Sequence, residues 1–168
     1  MAKQSPALKR IMMDLKIMKK KPAEGISVEF EESNALQLIA EVCGLKDSLF
    51  DGGKFKLQMI FTEQYPIKPP RVKFLTPIFH PNVYPQAEGS DRISDGKVCL
   101  GKMLVEEWKP SYGVSTILLA IQGLLDDPNV DDPANETAAQ LFKEKPEDYK
   151  REVKKLVEES KLWRRRDH

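Results

Sequence analysis

The strongest constraint on the fold is a run of four strand-like segments between Ile26 and Phe74, in which apolar and polar residues alternate. The segments are ISVEFEE, ALQLIAEVC, KFKLQMIF and the shorter RVKFL. Turn-forming residues separate them, namely Ser33-Asn34, Asp51-Gly52-Gly53 and the sequence YPIKPP. Connections this short favour antiparallel neighbours, so the pattern predicts an antiparallel meander with one face packed on helices.

Helical patterns lie on both sides of these strands. Ser5-Pro6 is typical of a helix start, and apolar residues at helical spacing extend that helix to about residue 19. The segment from Thr76 to Lys97 has no periodicity, and the sequence VSTILLAIQGLLDD after it predicts a largely buried helix. The pair Asp132-Pro133 repeats the cap-and-proline signal and predicts a short helix through Phe142.

Pro146 predicts a final helix, whose apolar spacing continues as far as Trp163. One helix, four strands and three helices in this order predict a segregated α+β fold. A length of 168 residues fits a single domain over residues 1–168.

Composition argues against several classes of protein. A net charge of +1 is too small for bulk nucleic-acid binding. No apolar run approaches the ~18 residues of a membrane span, and the start MAKQSPALKR lacks a signal-peptide core. Two cysteines are too few for a disulfide framework or a four-ligand zinc site. We therefore expect no metal, no nucleic acid and no membrane partner, and a cytoplasmic and/or nuclear location.

The segment ISDGKVCLGKM contains Cys99, which lies on no helical or strand pattern. Free cysteine is most often a small buried hydrophobe, and this interpretation applies even more to Cys43 within its strand pattern. A position after a long irregular segment instead suits a catalytic group on a loop. A Cys–His hydrolase would need His80 with Asn82, but a histidine between Phe79 and Pro81 is better explained by packing. Pattern alone leaves Cys99 open between core thiol and nucleophile.

An ordered set of motifs resembles the ubiquitin-conjugating enzymes, which share the UBC fold. The motifs are ALKRI, DSLFDGG, YPIKPPRVKF, FHPNVY, GKVCLGKM, EEWKP and LLDDPNVDDPANETAAQLF, and together they cover nearly the whole chain. The resemblance implies an N-terminal helix, a four-stranded antiparallel meander, a long active-site loop and three helices. It also implies that Cys99 accepts ubiquitin as a thioester from an activating enzyme and passes it to a substrate lysine or a ligase cysteine. Because exchange between thioesters is nearly balanced in energy, no dedicated histidine is required.

The same resemblance assigns roles to further residues. Asn82 matches an asparagine that either donates to the oxyanion or braces the loop, and both roles remain open. Asp132 matches a carboxylate that orients the incoming lysine, with Asp131 as its rival and a helix N-cap as its structural alternative. The surface for RING- or HECT-type ligases and the activating enzyme would consist of Lys9, Arg10, Ile67, Pro110 and Ser111. No cofactor is implied, since ATP is used by the upstream activating enzyme.

Two departures from the family pattern leave questions. Cys99 follows Asn82 by 17 positions, more than in typical members, so extra residues lie around PQAEGSDRI. Gly101 stands where the family usually has an acidic or amide residue. We expect the insertion, Gln86 to Ser94, to be exposed near the thioester. SUMO or the neddylation modifier is an alternative cargo, and a UBC-like scaffold without enzymatic activity is the alternative of a different class.

Overall fold

A computed structural model describes residues 4–86, 92, 94–100 and 106–165 of the chain. Its elements, in chain order, are α1 (Pro6–Lys20), β1 (Ile26–Glu31), β2 (Asn34–Cys43), β3 (Lys54–Ile60), β4 (Arg71–Phe74), α2 (Val114–Asp126), α3 (Glu136–Glu144) and α4 (Pro146–Ser160). The four strands pair antiparallel in the order β1-β2-β3-β4. The predicted α+β fold, with its meander between one helix and a later set of helices, is confirmed.

The sheet buries one face because its strands alternate as the sequence pattern requires. In β2, Leu38, Ala40 and Val42 are buried, and the register places Ala40 opposite Leu57 and Val42 opposite Phe55 of β3. Helices α1 and α2 pack against this face, and their Ile11, Ile117 and Ile121 side chains are fully buried. The outer face of the sheet carries mostly charged and amide side chains. None of the described helices is long and apolar enough to cross a membrane.

Helix α3 begins later than the sequence indicated. Asn135 is its N-cap, and the Asn135 side chain accepts a hydrogen bond from the Ala138 N–H at 3.0 Å. The prediction that Asp132-Pro133 opens this helix is therefore wrong, because the residue that caps it, Asn135, lies three residues further on. The helix also continues past Phe142 to Glu144. Asp132 is thus left on the preceding loop with an exposed side chain.

Helix α4 ends earlier than predicted, at Ser160. The Ser160 hydroxyl donates to the Val157 carbonyl at 2.6 Å and accepts from the Lys54 N–H at 3.1 Å, which attaches the helix end to β3. Trp163 consequently lies beyond the helix. Arg165 then pairs with Glu31 of β1 at 2.6 Å, so this part of the C-terminal segment lies against the sheet.

Candidate active site

Cys99 lies beside Asn82 although 17 positions separate them in the sequence. Short antiparallel bridges join Val83 to Val98 and Lys73 to Lys97. The Cys99 N–H donates to the Asn82 carbonyl at 2.8 Å. The thiol-bearing residue is half-buried, so it is neither sealed in the core nor fully solvated. The insertion thus leaves Asn82 and Cys99 together.

Of the described residues of the insertion, Arg92 and Ser94 are exposed as predicted, but Gln86 is half-buried, because its Nε2 donates to the Phe74 and Thr76 carbonyls at 2.9 and 3.2 Å. Residues 87–91 and 93, like Gly101, lie outside the described residues.

Gly96 supplies the backbone conformation that the pairing of Cys99 with Asn82 requires. Its φ is +72°, a left-handed conformation that glycine adopts without a steric penalty. Its carbonyl accepts from the Phe74 N–H at 2.7 Å, and its N–H donates to the Tyr84 carbonyl at 3.1 Å. A Cβ atom at this position would lie only 2.2 Å from the Phe74 oxygen. A glycine is therefore required three residues before the cysteine.

His80 is a buried structural residue rather than a base for Cys99. Its Nδ1 accepts from the Asn82 N–H at 3.0 Å, so Nε2 carries the proton and donates to the Leu124 carbonyl at 2.8 Å. Desolvation lowers the pKa of His80 to about 4, outweighing the hydrogen bonds to the Leu124 and Leu125 carbonyls, which act in the opposite direction. With both ring nitrogens occupied and the ring neutral, His80 does not supply the base of a Cys–His pair.

The burial of His80 predicts a stability that falls in mild acid. The unfolded chain takes up a proton near pH 6.5, whereas the folded chain resists it until about pH 4. The contribution is therefore complete above pH 6.5 and is lost as the pH falls toward 4. We expect the free energy of unfolding to drop by about 2 kcal/mol between pH 7 and pH 5 from this group. Urea unfolding at a series of pH values measures the drop.

The matched control for this measurement is His80→Gln, which keeps a donor for the Leu124 carbonyl but cannot titrate. The variant starts from a lower stability, and its pH dependence should be shallower than that of the wild type over the same interval. Identical pH dependence in the two proteins would show that His80 does not cause the acid sensitivity.

Asn82 braces the active-site loop through its side chain. Its Nδ2 donates to the Asn129 carbonyl at 2.7 Å, and its Oδ1 accepts from the Asn129 N–H at 2.9 Å. The residue is buried, so this pair of bonds is shielded from water. The amide nitrogen carries a second hydrogen, which leaves a further donor for another group. The bracing alternative is thus present in the structure, and it is compatible with donation to an oxyanion.

Residues 80–82 connect the parts of the site, and we call them the His-Pro-Asn segment. Besides the bonds from Cys99 and Asn129, the Pro81 carbonyl accepts from the Ala134 and Asn135 N–H groups at 2.9 and 3.0 Å. Asp132 therefore lies on a short loop fixed on both sides to the segment that also holds Cys99. Asp131 is exposed as well, and its N–H donates to Asn129 Oδ1 at 3.1 Å. The loop that carries both carboxylates and the segment that carries the thiol are thus attached to the same three residues.

Cys43 is in a different situation. It ends β2 opposite Lys54, and its carbonyl accepts from Gln122 Nε2 at 3.1 Å. Burial, and to a smaller extent the Glu41 carboxylate, raises the pKa of the Cys43 thiol, with Lys54 opposing. A raised pKa means less of the reactive thiolate at neutral pH, which agrees with the structural role expected for this cysteine.

The ligase surface predicted from the resemblance is only partly exposed. Lys9, Pro110 and Ser111 are exposed, and the Ile67 side chain is 71% exposed. Lys9 lies on α1, whereas Trp108 joins the two loops that carry Ile67, Pro110 and Ser111, since its Nε1–H donates to the Pro66 carbonyl at 2.9 Å. These three loop residues form an exposed patch of apolar and hydroxyl groups.

Arg10 points inward instead. Its Nε donates to Asp14 Oδ1 at 3.0 Å and its Nη2 to the Tyr112 carbonyl at 3.2 Å, leaving its side chain 21% exposed. The Tyr65 hydroxyl donates to Asp14 Oδ2 at 2.5 Å. Burial, and then this bond to Asp14, raises the pKa of Tyr65, so the phenol stays a donor. Arg10 therefore holds the loop next to the patch in place and contributes little exposed surface of its own.

Asp14 is the residue that sequence reasoning missed. The only signal available was a carboxylate between Ile11 and Leu15, on the side of α1 that is otherwise apolar. A buried charge requires partners, and here Arg10 and Tyr65 provide them. Among the described residues, no group of three or more His, Cys, Asp or Glu side chains could hold a metal ion.

Comparison with known proteins identifies the family. A family model described as "Ubiquitin-conjugating enzyme" matches residues 10–157. The chain belongs to the ubiquitin-conjugating enzyme family. It is 44% identical over 156 residues to "Ubiquitin-conjugating enzyme E2 3" of Arabidopsis thaliana, covering 93% of this chain and 97% of that relative. It is 42% identical over 158 residues to "Ubiquitin-conjugating enzyme E2 1" of Caenorhabditis elegans, covering 94% of this chain and 77% of the relative. The resemblance is confirmed, and this ubiquitin-conjugating enzyme is a transferase.

Proposed function

We propose that this enzyme carries ubiquitin as a thioester on Cys99 and transfers it to a substrate lysine, usually with a ligase. One observation supports this most strongly. The half-buried Cys99 is fixed by its N–H to the Asn82 carbonyl at 2.8 Å, while the Asn82 side chain holds the loop that carries Asp132. The thiol of Cys99, the amide of Asn82 and the loop that carries the Asp132 carboxylate are thereby attached to one short segment.

In the charging step, Cys99 Sγ attacks the thioester carbonyl that joins ubiquitin to the activating enzyme. A carbon–sulfur bond forms at Cys99, the earlier carbon–sulfur bond breaks, and the departing thiol takes the proton that Cys99 lost. One thioester replaces another, so little energy is gained or lost. ATP is used only upstream, and the conjugating enzyme needs no cofactor for this step.

In the discharge step, a lysine amine attacks the same carbonyl. The second N–H of Asn82 is the group that would donate to the oxyanion, and Asp132 would orient the ammonium and help it lose its proton. A carbon–nitrogen bond forms, the bond to Cys99 breaks, and the thiol is regenerated. With a HECT-type ligase, the ligase cysteine takes the place of the amine.

Partner binding follows from the exposed patch. Ile67, Pro110 and Ser111 form an apolar and hydroxyl surface, and Lys9 adds positive charge from α1. Such a surface suits a RING- or HECT-type ligase and, at another time, the activating enzyme. Because Arg10 hydrogen-bonds to the Asp14 carboxylate and the Tyr112 carbonyl, we infer that its role is to position this surface.

Parallel loading reactions test the proposal. The enzyme is incubated with ATP and with ubiquitin, SUMO or the neddylation modifier, each with its own activating enzyme. We expect an adduct with ubiquitin that reductant removes, that Cys99→Ala abolishes and that Cys43→Ala retains. If only SUMO or only the neddylation modifier loads, that modifier is the cargo and ubiquitin is not. No adduct with any of the three would favour the non-enzymatic scaffold.

A further inference from the structure

The side chain of Gln86 makes three hydrogen bonds to the segment that connects β4 to the active site. Its Nε2 donates to the Phe74 and Thr76 carbonyls at 2.9 and 3.2 Å, and its Oε1 accepts from the Ile78 N–H at 3.2 Å. These bonds use both hydrogens of the side-chain amide and its oxygen. Gln86 therefore binds residues 74–78 much as a neighbouring strand would, although it belongs to none of the described strands.

Within residues 74–78, β3 holds the beginning and Gln86 also holds the end. At the beginning, the Leu75 N–H donates to the Lys56 carbonyl at 2.8 Å, beyond the last strand pair of β4. Further on, the Ile78 N–H bonds to Gln86, and Ile78 lies two positions before the His-Pro-Asn segment. The Gln86 side chain therefore fixes the backbone just before this segment.

Gln86 also adjoins the segment that leads to Cys99. A Cβ atom at Gly96 would lie 2.9 Å from Gln86 Nε2, so the amide occupies the room that a side chain at Gly96 would take. The Gly96 carbonyl accepts from the Phe74 N–H at 2.7 Å, and the Phe74 carbonyl accepts from Gln86 at 2.9 Å. The Gln86 amide thus lies where the backbone that leads to the His-Pro-Asn segment meets the backbone that leads to Cys99.

We propose that Gln86 is a positioning residue for the transfer of ubiquitin, which holds the His-Pro-Asn segment in register with Cys99. The inference rests on the proposed function, in which the Asn82 amide donates to the oxyanion and Asp132 orients the lysine. Asn82 belongs to this segment and the Asp132 loop is attached to it, so a displaced segment would move both groups away from the thioester. Such a displacement slows the reaction, because a donor or a carboxylate acts only within hydrogen-bond reach. Since Gln86 is the first residue of the insertion, the insertion supports the active site as well as lengthening the connection.

Gln86→Met tests the three hydrogen bonds, because methionine has a similar length and volume but no amide. We expect single-turnover discharge of the Cys99 thioester to free lysine to slow about tenfold, while loading from the activating enzyme falls less than about twofold. Gln86→Glu should slow discharge at least as much, since its ionised carboxylate has no donor for the Phe74 and Thr76 carbonyls. Wild-type discharge in either variant, or equal losses in loading and discharge, would overturn the inference.

Ser160→Ala is the matched control for a general loss of stability. It removes the hydroxyl that accepts from the Lys54 N–H at 3.1 Å, where the end of α4 meets β3. We expect its melting temperature to fall by about 2–4 °C, with discharge equal to that of the wild type when the enzyme is assayed well below this temperature. A discharge loss in Ser160→Ala equal to that in Gln86→Met would show that lower stability alone slows the reaction and that Gln86 has no positioning role.

Amide hydrogen exchange in the uncharged enzyme separates failure of this inference from failure of the proposed function, because it requires no thioester. The Cys99 N–H and the Asn129 N–H both bond to Asn82, so their exchange rates report on the His-Pro-Asn segment. Gln86→Met should raise both rates roughly tenfold and leave those of β2 unchanged. This result supports the positioning role even if no modifier loads Cys99. Unchanged rates at Cys99 and Asn129, or an equal rise throughout β2, would contradict it.

Discussion

Asn82→Ala is expected to slow discharge of the Cys99 thioester to free lysine by about 100- to 1,000-fold, the usual cost of removing an oxyanion donor. That corresponds to ~3–4 kcal/mol of transition-state stabilisation. Loading from the activating enzyme should fall much less, because thiolate attack depends chiefly on Cys99 itself. Single-turnover rates for loading and for discharge, measured on the same preparation, give the two effects separately.

The bracing role of Asn82 requires its own control. Asn129→Ala removes the side chain that accepts from the Asp131 N–H, which loosens the same loop while leaving the Asn82 amide in place. If Asn82 acts on the oxyanion, Asn129→Ala should slow discharge only a few-fold. Equal losses in the two variants, or equal losses in loading and discharge, would reduce Asn82 to a structural brace.

Gly96→Ala should be among the most destabilising single substitutions near the active site. A non-glycine residue at φ +72° costs about 1–2 kcal/mol, and the new Cβ would collide with the Phe74 oxygen at 2.2 Å. Loss of the bond from the Phe74 N–H adds about 1 kcal/mol. We expect the free energy of unfolding to fall by about 3 kcal/mol in urea titrations.

Gly123→Ala is the matched control. Gly123 lies within α2, and a Cβ there meets no atom within 4 Å. Since alanine favours the helix over glycine, this variant should gain about 0.5–1 kcal/mol. A Gly96→Ala protein as stable as the wild type would show that the backbone before Cys99 is more adaptable than its hydrogen bonds indicate.

The fold was largely predictable because the sequence patterns that determine it lie within each strand, helix and turn. Alternation between Ile26 and Phe74 fixes the faces of the strands, and the short turns fix their order. Helix boundaries were less predictable. Asp132-Pro133 has the sequence of a helix start, but the hydrogen bond from the Ala138 N–H to the Asn135 side chain shows that the helix begins three residues later.

The active site was predictable in its residue types but not in its contacts. The motifs placed Cys99, Asn82 and Asp132 in one site, yet sequence could not show that Asn82 holds the backbone of Asn129. Nor could it show that Arg10 turns inward to Asp14 and the Tyr112 carbonyl. Both depend on pairs distant in sequence, and single-residue patterns carry no information about such pairs.

The backbone hydrogen bond between Cys99 and Asn82 makes the site tolerant of changes in chain length. When the two ends of a segment are held together, the entropic cost of closing it grows only with the logarithm of its length, by about 0.6 kcal/mol for each doubling of that length. Evolution can therefore vary the length of the segment between Asn82 and Cys99 while the thiol keeps its position. The same tolerance makes this position a natural point for splicing in a reporter or a new recognition element.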